Sequence, residues 1–217
     1  MKEYDYYLFD FDGTIMDTER SIKSCVIYAL NFFGINEDNP DNLDGFIGPP
    51  LFQSFKRYYG VSDELANSLI LKYRERYAQE GCLDCSVYDG IPEVLRELKN
   101  RGKKIAIASS KPIRFVEKIS KHFGLYEYFD AVCAESFDEI NSGKKLLIEK
   151  ALDMLGCKDK SKAVMVGDRY LDIEGALKVG IDSAGAVFGF GTKEELENAG
   201  ATWLIFNSQE LLKFKPE

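Results

Sequence analysis

Apolar positions fall into two rhythms along the chain. From about residue 90 onward, the short runs KKIAIAS (103–109), DAVCA (130–134), KAVMVG (162–167), DSAGAV (182–187) and ATWLIF (201–206) recur. Most are continuous rather than alternating, the pattern of strands buried on both faces. Between them lie IPEVLRELKNRG (91–102), PIRFVEKISKHFG (112–124), KKLLIEKALDMLG (144–156) and YLDIEGALKVG (170–180). In these, apolar residues stand three and four apart and each stretch closes on glycine, the signal of a helix end. Strand–helix alternation predicts an α/β fold, a doubly wound parallel sheet with right-handed crossovers.

The segment 19–86 follows only the second rhythm. It contains SIKSCVIYALNFFG, PPLFQSFKRYYG and SDELANSLILKYRERYAQEG, with no strand pattern between them. A first strand over 4–9 is thus separated from the rest of the sheet by a long helical stretch. The expected organisation is an α/β core formed by 1–17 and 87–217, with an inserted α-helical cap domain over 18–86. No internal repeat or low-complexity tract interrupts it.

Composition narrows the partners. The 217 residues carry a formal net charge of −8, which argues against nucleic acid or an anionic membrane surface. No apolar run approaches the ~18–20 residues of a membrane span, and MKEYDYYLF lacks the apolar region of a secretory signal. Five scattered cysteines, an odd number, fit a reduced, cytoplasmic protein. Cys82 and Cys85 form a lone C-x-x-C without the second pair of a structural zinc site, and read as free thiols near a turn.

In an open parallel sheet, ligands gather outside the carboxyl ends of the strands where strand order reverses. Three strand ends carry reactive residues: Asp10, Ser109-Ser110-Lys111, and Gly167-Asp168. Asp12, two residues beyond Asp10, returns toward the same side. Gly13 permits an unusual backbone conformation, and Thr14 offers a hydroxyl and an N–H to an anion. With Asp168 and Asp172, which share a helix face, the cluster holds four acids, an oxygen-rich set suited to Mg²⁺. Lys144 and Ser109 bring a cation and a hydroxyl, which a transferring phosphoryl group needs. On this reading, Asp10 and Asp12 coexist because a divalent cation neutralises them.

DFDGTIMDT, IASSK, the lysine opening SGKKLLIEKAL, and VMVGDRYLDIEGA resemble, in order and spacing, the four motifs of the haloacid dehalogenase superfamily phosphatases. The resemblance covers nearly the whole chain. It implies a Rossmann-like core, a helical cap and the phosphoglycolate phosphatase-like branch. It implies that Asp10 is the nucleophile forming an aspartyl phosphate. Asp12 would be the acid and then the base, its backbone carbonyl also binding Mg²⁺. Ser109, aided by the backbone of Ser110, would hold the phosphoryl group. Lys144, preferred over Lys145 because it stands at the helix entrance, would neutralise charge. Asp168 would ligate Mg²⁺, and Asp172 would hold its water shell. Gly48, in the loop 47–51, is a candidate for substrate selection.

An acid at position 12 favours phosphate esters over a dehalogenase, whose halide leaves unprotonated. A sugar phosphomutase would carry a histidine in TERSIKS and an arginine in GFIGPPLFQSF, and neither is there. The single histidine, His122, falls on a helix away from the strand ends. The expected partner is a small-molecule phosphate ester, for a monomer or homodimer. The lack of that histidine and arginine counts against the mutase, which stays an alternative with inorganic pyrophosphatase and a non-catalytic phospho-ligand-binding module.

Overall fold

Strand β1 (Tyr6–Phe9) sits in the middle of a six-stranded, all-parallel sheet and organises everything around it. A computed structural model describes residues 2–47, 51–135 and 143–214 of the chain. After β1 come β2 (Met16–Asp17), then helices α1 (Glu19–Phe32), α2 (Leu51–Tyr59) and α3 (Asp63–Gln79), then β3 (Ser86–Val87). The chain continues with α4 (Ile91–Asn100), β4 (Lys104–Pro112), α5 (Ile113–His122), β5 (Ala131–Glu135), α6 (Gly143–Met154) and β6 (Ala163–Gly167). It ends with α7 (Tyr170–Val179), β7 (Asp182–Ala186), α8 (Lys193–Asn198) and β8 (Trp203–Ile205).

The strand order is β5-β4-β1-β6-β7-β8. Chain order runs outward in both directions from β1, so its carboxyl end is the point where strand order reverses. Phe9 lies in register with Ile107 of β4 on one side and Val166 of β6 on the other. The doubly wound sheet read from the sequence is therefore present, with strand ends displaced by up to three residues. α8 and the two-residue strands β2 and β3, which pair with each other, had no apolar run long enough to announce them.

The backbone divides into two compact units, one of 1–17 and 87–217 and one of 18–86. In the larger unit, small side chains let helices approach the sheet. Leu8, Ala106, Ala108, Ala131 and Met165 on the strands pack with Leu147, Ile148 and Ala151 of α6 and Ala176 of α7. In the helical unit, Ser62 caps α3 by accepting from Leu65 N at 3.2 Å. Tyr73 and Tyr77 stack one turn apart with ring centroids at 5.5 Å. Cys82 is buried there, and the Cys85 thiol donates to its carbonyl at 3.4 Å. His122 is exposed at the end of α5. Among the described residues, no helix is long and apolar enough to cross a membrane.

Leu8 is fully buried between α6 and the neighbouring strands. Truncation there loses transfer energy and leaves a cavity, so Leu8→Ala is expected to lower stability by roughly 2–5 kcal/mol in urea unfolding. A loss below about 1 kcal/mol would contradict this packing.

Candidate active site

Asp10 and Asp12 both leave the carboxyl end of β1, yet they have different partners. The Asp10 backbone N–H donates to Val166 O at 2.9 Å, holding the residue beside β6. Its Oδ1 accepts from the Phe11 N–H at 2.8 Å, and its Oδ2 lies 3.0 Å from the Lys144 ammonium. Asp12 instead receives Lys111 on both carboxylate oxygens, each at 2.8 Å. The two lysine side chains are almost wholly buried, each 6% exposed.

Lys144 stands in the first turn of α6, which points it at the ends of β4 and β1. It donates to Ala108 O at 3.1 Å and lies 2.8 Å from Asp172 Oδ1. The neighbouring Lys145 turns outward and pairs with Glu149 at 3.4 Å, its side chain 53% exposed. Of the two, Lys144 is the one that reaches the carboxylates.

Asp168, just past β6, and Asp172, in the first turn of α7, are fully buried. Asp168 Oδ1 accepts from the Thr14 hydroxyl at 3.0 Å and its Oδ2 from the Phe190 N–H at 3.0 Å. Asp172 Oδ2 accepts from the Arg169 N–H at 3.1 Å, closing the N-terminus of α7. Asp172 Oδ1 is charge-paired with Lys144 but receives no well-directed hydrogen bond, so a buried carboxylate oxygen stands available to a cation.

Carboxylate oxygens of Asp10, Asp168 and Asp172 lie within 4.8 Å of one another. Burial first, and then the charges of Asp172 and Asp10, push Asp168 up to about 8. Burial also raises Asp172, against the lowering effect of Lys144. Burial tends to lower Lys144, but Asp10 and Asp172 outweigh it and leave the ammonium raised. With all four carboxylates ionised, the two ammonium groups would leave two negative charges uncompensated, and the raised Asp168 is how the site without a cation relieves them. The three clustered carboxylates are the oxygen ligands a hard divalent cation prefers, and one bound there would remove that deficit.

Backbone without side chains makes the cluster possible. Gly13 has φ +79°, and a Cβ there would stand 2.1 Å from Asp168 Oδ2. At Gly189 a Cβ would fall 2.2 Å from the Gly13 carbonyl oxygen and 2.4 Å from Asp168 Cβ. Both contacts are closer than atoms tolerate, so only glycine lets the β1 loop, Asp168 and the loop after β7 converge.

The remaining sequence candidates are placed as follows. Thr14 is fully buried with its hydroxyl committed to Asp168. Ser109 is buried at the end of β4, its Oγ accepting from the Lys111 N–H at 3.3 Å. Ser110 is exposed. Gly48 lies outside the described residues. Phe190 and Gly189 were not singled out from the sequence, and Lys111 was noted at a strand end but given no role. Ile105 to Ser109 of β4 are all buried, and only past Ser109, where the register shifts, does burial skip Ser110 and return at Lys111.

The profile of the haloacid dehalogenase-like hydrolases matches residues 7–186. The chain belongs to that family. This hydrolase is 38% identical over 193 residues to a 5'-nucleotidase of Pseudomonas aeruginosa, covering 89% of this chain and 87% of that protein. It is 32% identical over 195 residues to tyrosine-protein kinase PtkA of Mycobacterium tuberculosis, covering 90% of this chain and 66% of that one. Its fold superposes on a predicted phosphatase of Clostridium difficile with a TM-score of 0.94, at 39% identity over 99% of this chain and all of that one.

A cation that binds the folded hydrolase and not the unfolded chain stabilises it, by ~2.7 kcal/mol at a hundred times its Kd. Mg²⁺ is expected to raise the thermal midpoint of the wild type and to leave that of Asp168→Asn unmoved. An equal shift in both proteins would place the ion elsewhere.

Proposed function

We propose that this hydrolase is a Mg²⁺-dependent phosphatase of small phosphate monoesters, working through an aspartyl phosphate on Asp10. The observation that carries the reading is the division of labour at the end of β1: Asp10 faces Lys144 and the carboxylate cluster, while Asp12 stands apart on Lys111. One carboxylate is thereby available as nucleophile and the other as acid and base.

Asp10 attacks phosphorus while the bond from phosphorus to the ester oxygen breaks. The electron pair stays on that oxygen, which takes the proton of Asp12. Water then attacks phosphorus in the aspartyl phosphate and gives its proton to the Asp12 carboxylate. The Asp10 carboxylate departs with the electron pair of the broken bond. Lys144 neutralises charge on Asp10 and the phosphoryl group. The Ser109 hydroxyl and the backbone N–H groups of Thr14 and Ser110 are its proposed hydrogen-bond donors, while the Gly13 N–H is bonded to Met16 O at 2.8 Å and is not among them. Asp10, Asp168 and the Asp12 carbonyl would hold Mg²⁺, with Asp172 on its water shell, and the ion would supply positive charge for the phosphoryl oxygens. The helical unit over 18–86 is proposed as the cap that selects the ester.

The 38% identity to a 5'-nucleotidase puts nucleoside 5'-monophosphates first among substrates to try. Phosphoglycolate, sugar phosphates and pyrophosphate belong in the same panel. A non-catalytic phospho-ligand module is disfavoured by the complete set Asp10, Asp12, Lys144 and Asp168.

Phosphate release from this panel, with Mg²⁺ and with a chelator, tests the reading. Wild type is expected to turn over at least one ester only with the metal. Asp10→Asn is expected to lose at least ~10³-fold, as removal of a nucleophile does. Metal-independent turnover, or an active Asp10→Asn enzyme, would reject it. Asp12→Asn is expected to fold and to lose at least ~10²-fold in kcat, and full activity in that variant would remove its acid–base role.

A further inference from the structure

Lys111 is a nearly buried cation that the reaction just described does not use. It is the next-to-last residue of β4, two beyond Ser109, where the register with β5 shifts between Ser109 and Pro112. That irregularity re-aims the end of the strand. The Lys111 N–H donates to the Ser109 hydroxyl oxygen at 3.3 Å, so the strand end is fixed on itself. The ammonium then spans to Asp12 and bonds both carboxylate oxygens at 2.8 Å. It also lies 5.9 Å from the centroid of the fully buried Phe11 ring. Phe11 in turn donates its N–H to Asp10.

Asp12 is 31% exposed, Lys111 only 6%. A partly exposed carboxylate on a glycine-containing loop has several rotamers open to it. A two-point bond to a buried lysine holds the carboxylate in one of them, and when one oxygen takes up a proton the bond to the other oxygen keeps the group in that rotamer. General acid catalysis requires the acid within hydrogen-bond reach of the departing oxygen in that one orientation.

We propose that Lys111 is a positioning residue that fixes the Asp12 carboxyl group for proton transfer to the leaving oxygen. The inference rests on the phosphatase reading and adds a residue to it. Lys111 acts through Asp12. Its loss therefore harms esters whose leaving oxygen must be protonated and spares those whose leaving group departs as an anion. A lysine gripping the phosphoryl group directly, or serving only to hold the fold, would harm both alike.

The test compares kcat/KM for two esters: p-nitrophenyl phosphate, whose leaving group needs no proton, and the aliphatic ester that wild type turns over fastest. This ratio reports steps through departure of the leaving group. Lys111→Met is expected to lower the aliphatic value about 10²-fold and to leave p-nitrophenyl phosphate within a few-fold. Lys111→Arg is expected to recover most of the selective loss. In an Asp12→Asn background, Lys111→Met is expected to add no further loss, because the two residues act as a unit. The double variant removes both partners together and leaves no buried charge unpaired, so it reads the coupling even if Lys111→Met alone unfolds. Equal losses on both esters, an unchanged Lys111→Met enzyme, or a full additional loss in the Asp12→Asn background would each overturn the proposal. Activity surviving in Asp10→Asn would instead overturn the phosphatase reading, whatever Lys111 does.

Discussion

Two buried lysines keep two neighbouring carboxylates apart, and the rest of the site depends on that separation. Asp10 and Asp12 lie one residue apart on the same loop and would repel if they shared one environment. Lys144, from α6, engages Asp10, while Lys111, from the end of β4, engages Asp12. Because the two cations come from different elements, the two acids are drawn to different sides. Breaking such a pair leaves a charge that is poorly hydrated, a cost of roughly 3–5 kcal/mol when burial is deep. The arrangement therefore has two consequences: it makes the doubled aspartate tolerable, and it makes the two acids chemically unlike.

The scaffold meets this demand by bringing backbone close to backbone. β1 lies between β4 and β6, so a residue at its end is within reach of Ala108, Val166 and the turn that carries Asp168. Gly13 and Gly189 then let three loops meet around the Asp168 carboxylate, which is gripped by the Thr14 hydroxyl and the Phe190 N–H. Small core residues on the strands, Ala106 and Ala108 among them, bring the first turn of α6 near enough for Lys144 to bridge Asp10 and Asp172.

Much of this was legible in the chain. Continuous apolar strands and glycine-ended helices state a parallel sheet, and the acids at strand ends mark the edge where Asp10, Asp168 and Asp172 meet. The choice of Lys144 over Lys145 rested on its place at the helix entrance, and the structure turns Lys144 to the carboxylates and Lys145 to Glu149. What could not be read is pairing. The sequence places Asp12 beside Asp10 and says nothing of which cation each receives, so a shared metal ion looked like the reason both are tolerated. Lys111 depended on a local shift of register after Ser109, which no apolar pattern encodes. Thr14 read as a free anion donor because its partner, Asp168, is 154 residues away. α8 was too short, and Gly189 lay in a loop whose only signal is close approach to a distant residue.

If the lysines do separate the two acids in this way, only one of them can carry phosphorus. Borohydride reduction of the enzyme quenched during turnover converts an aspartyl phosphate to homoserine, and peptide mass spectrometry locates the change. The account predicts homoserine at position 10 and an intact aspartate at position 12. Reduction at Asp12, or at Asp168 or Asp172 with Asp10 unchanged, would contradict it.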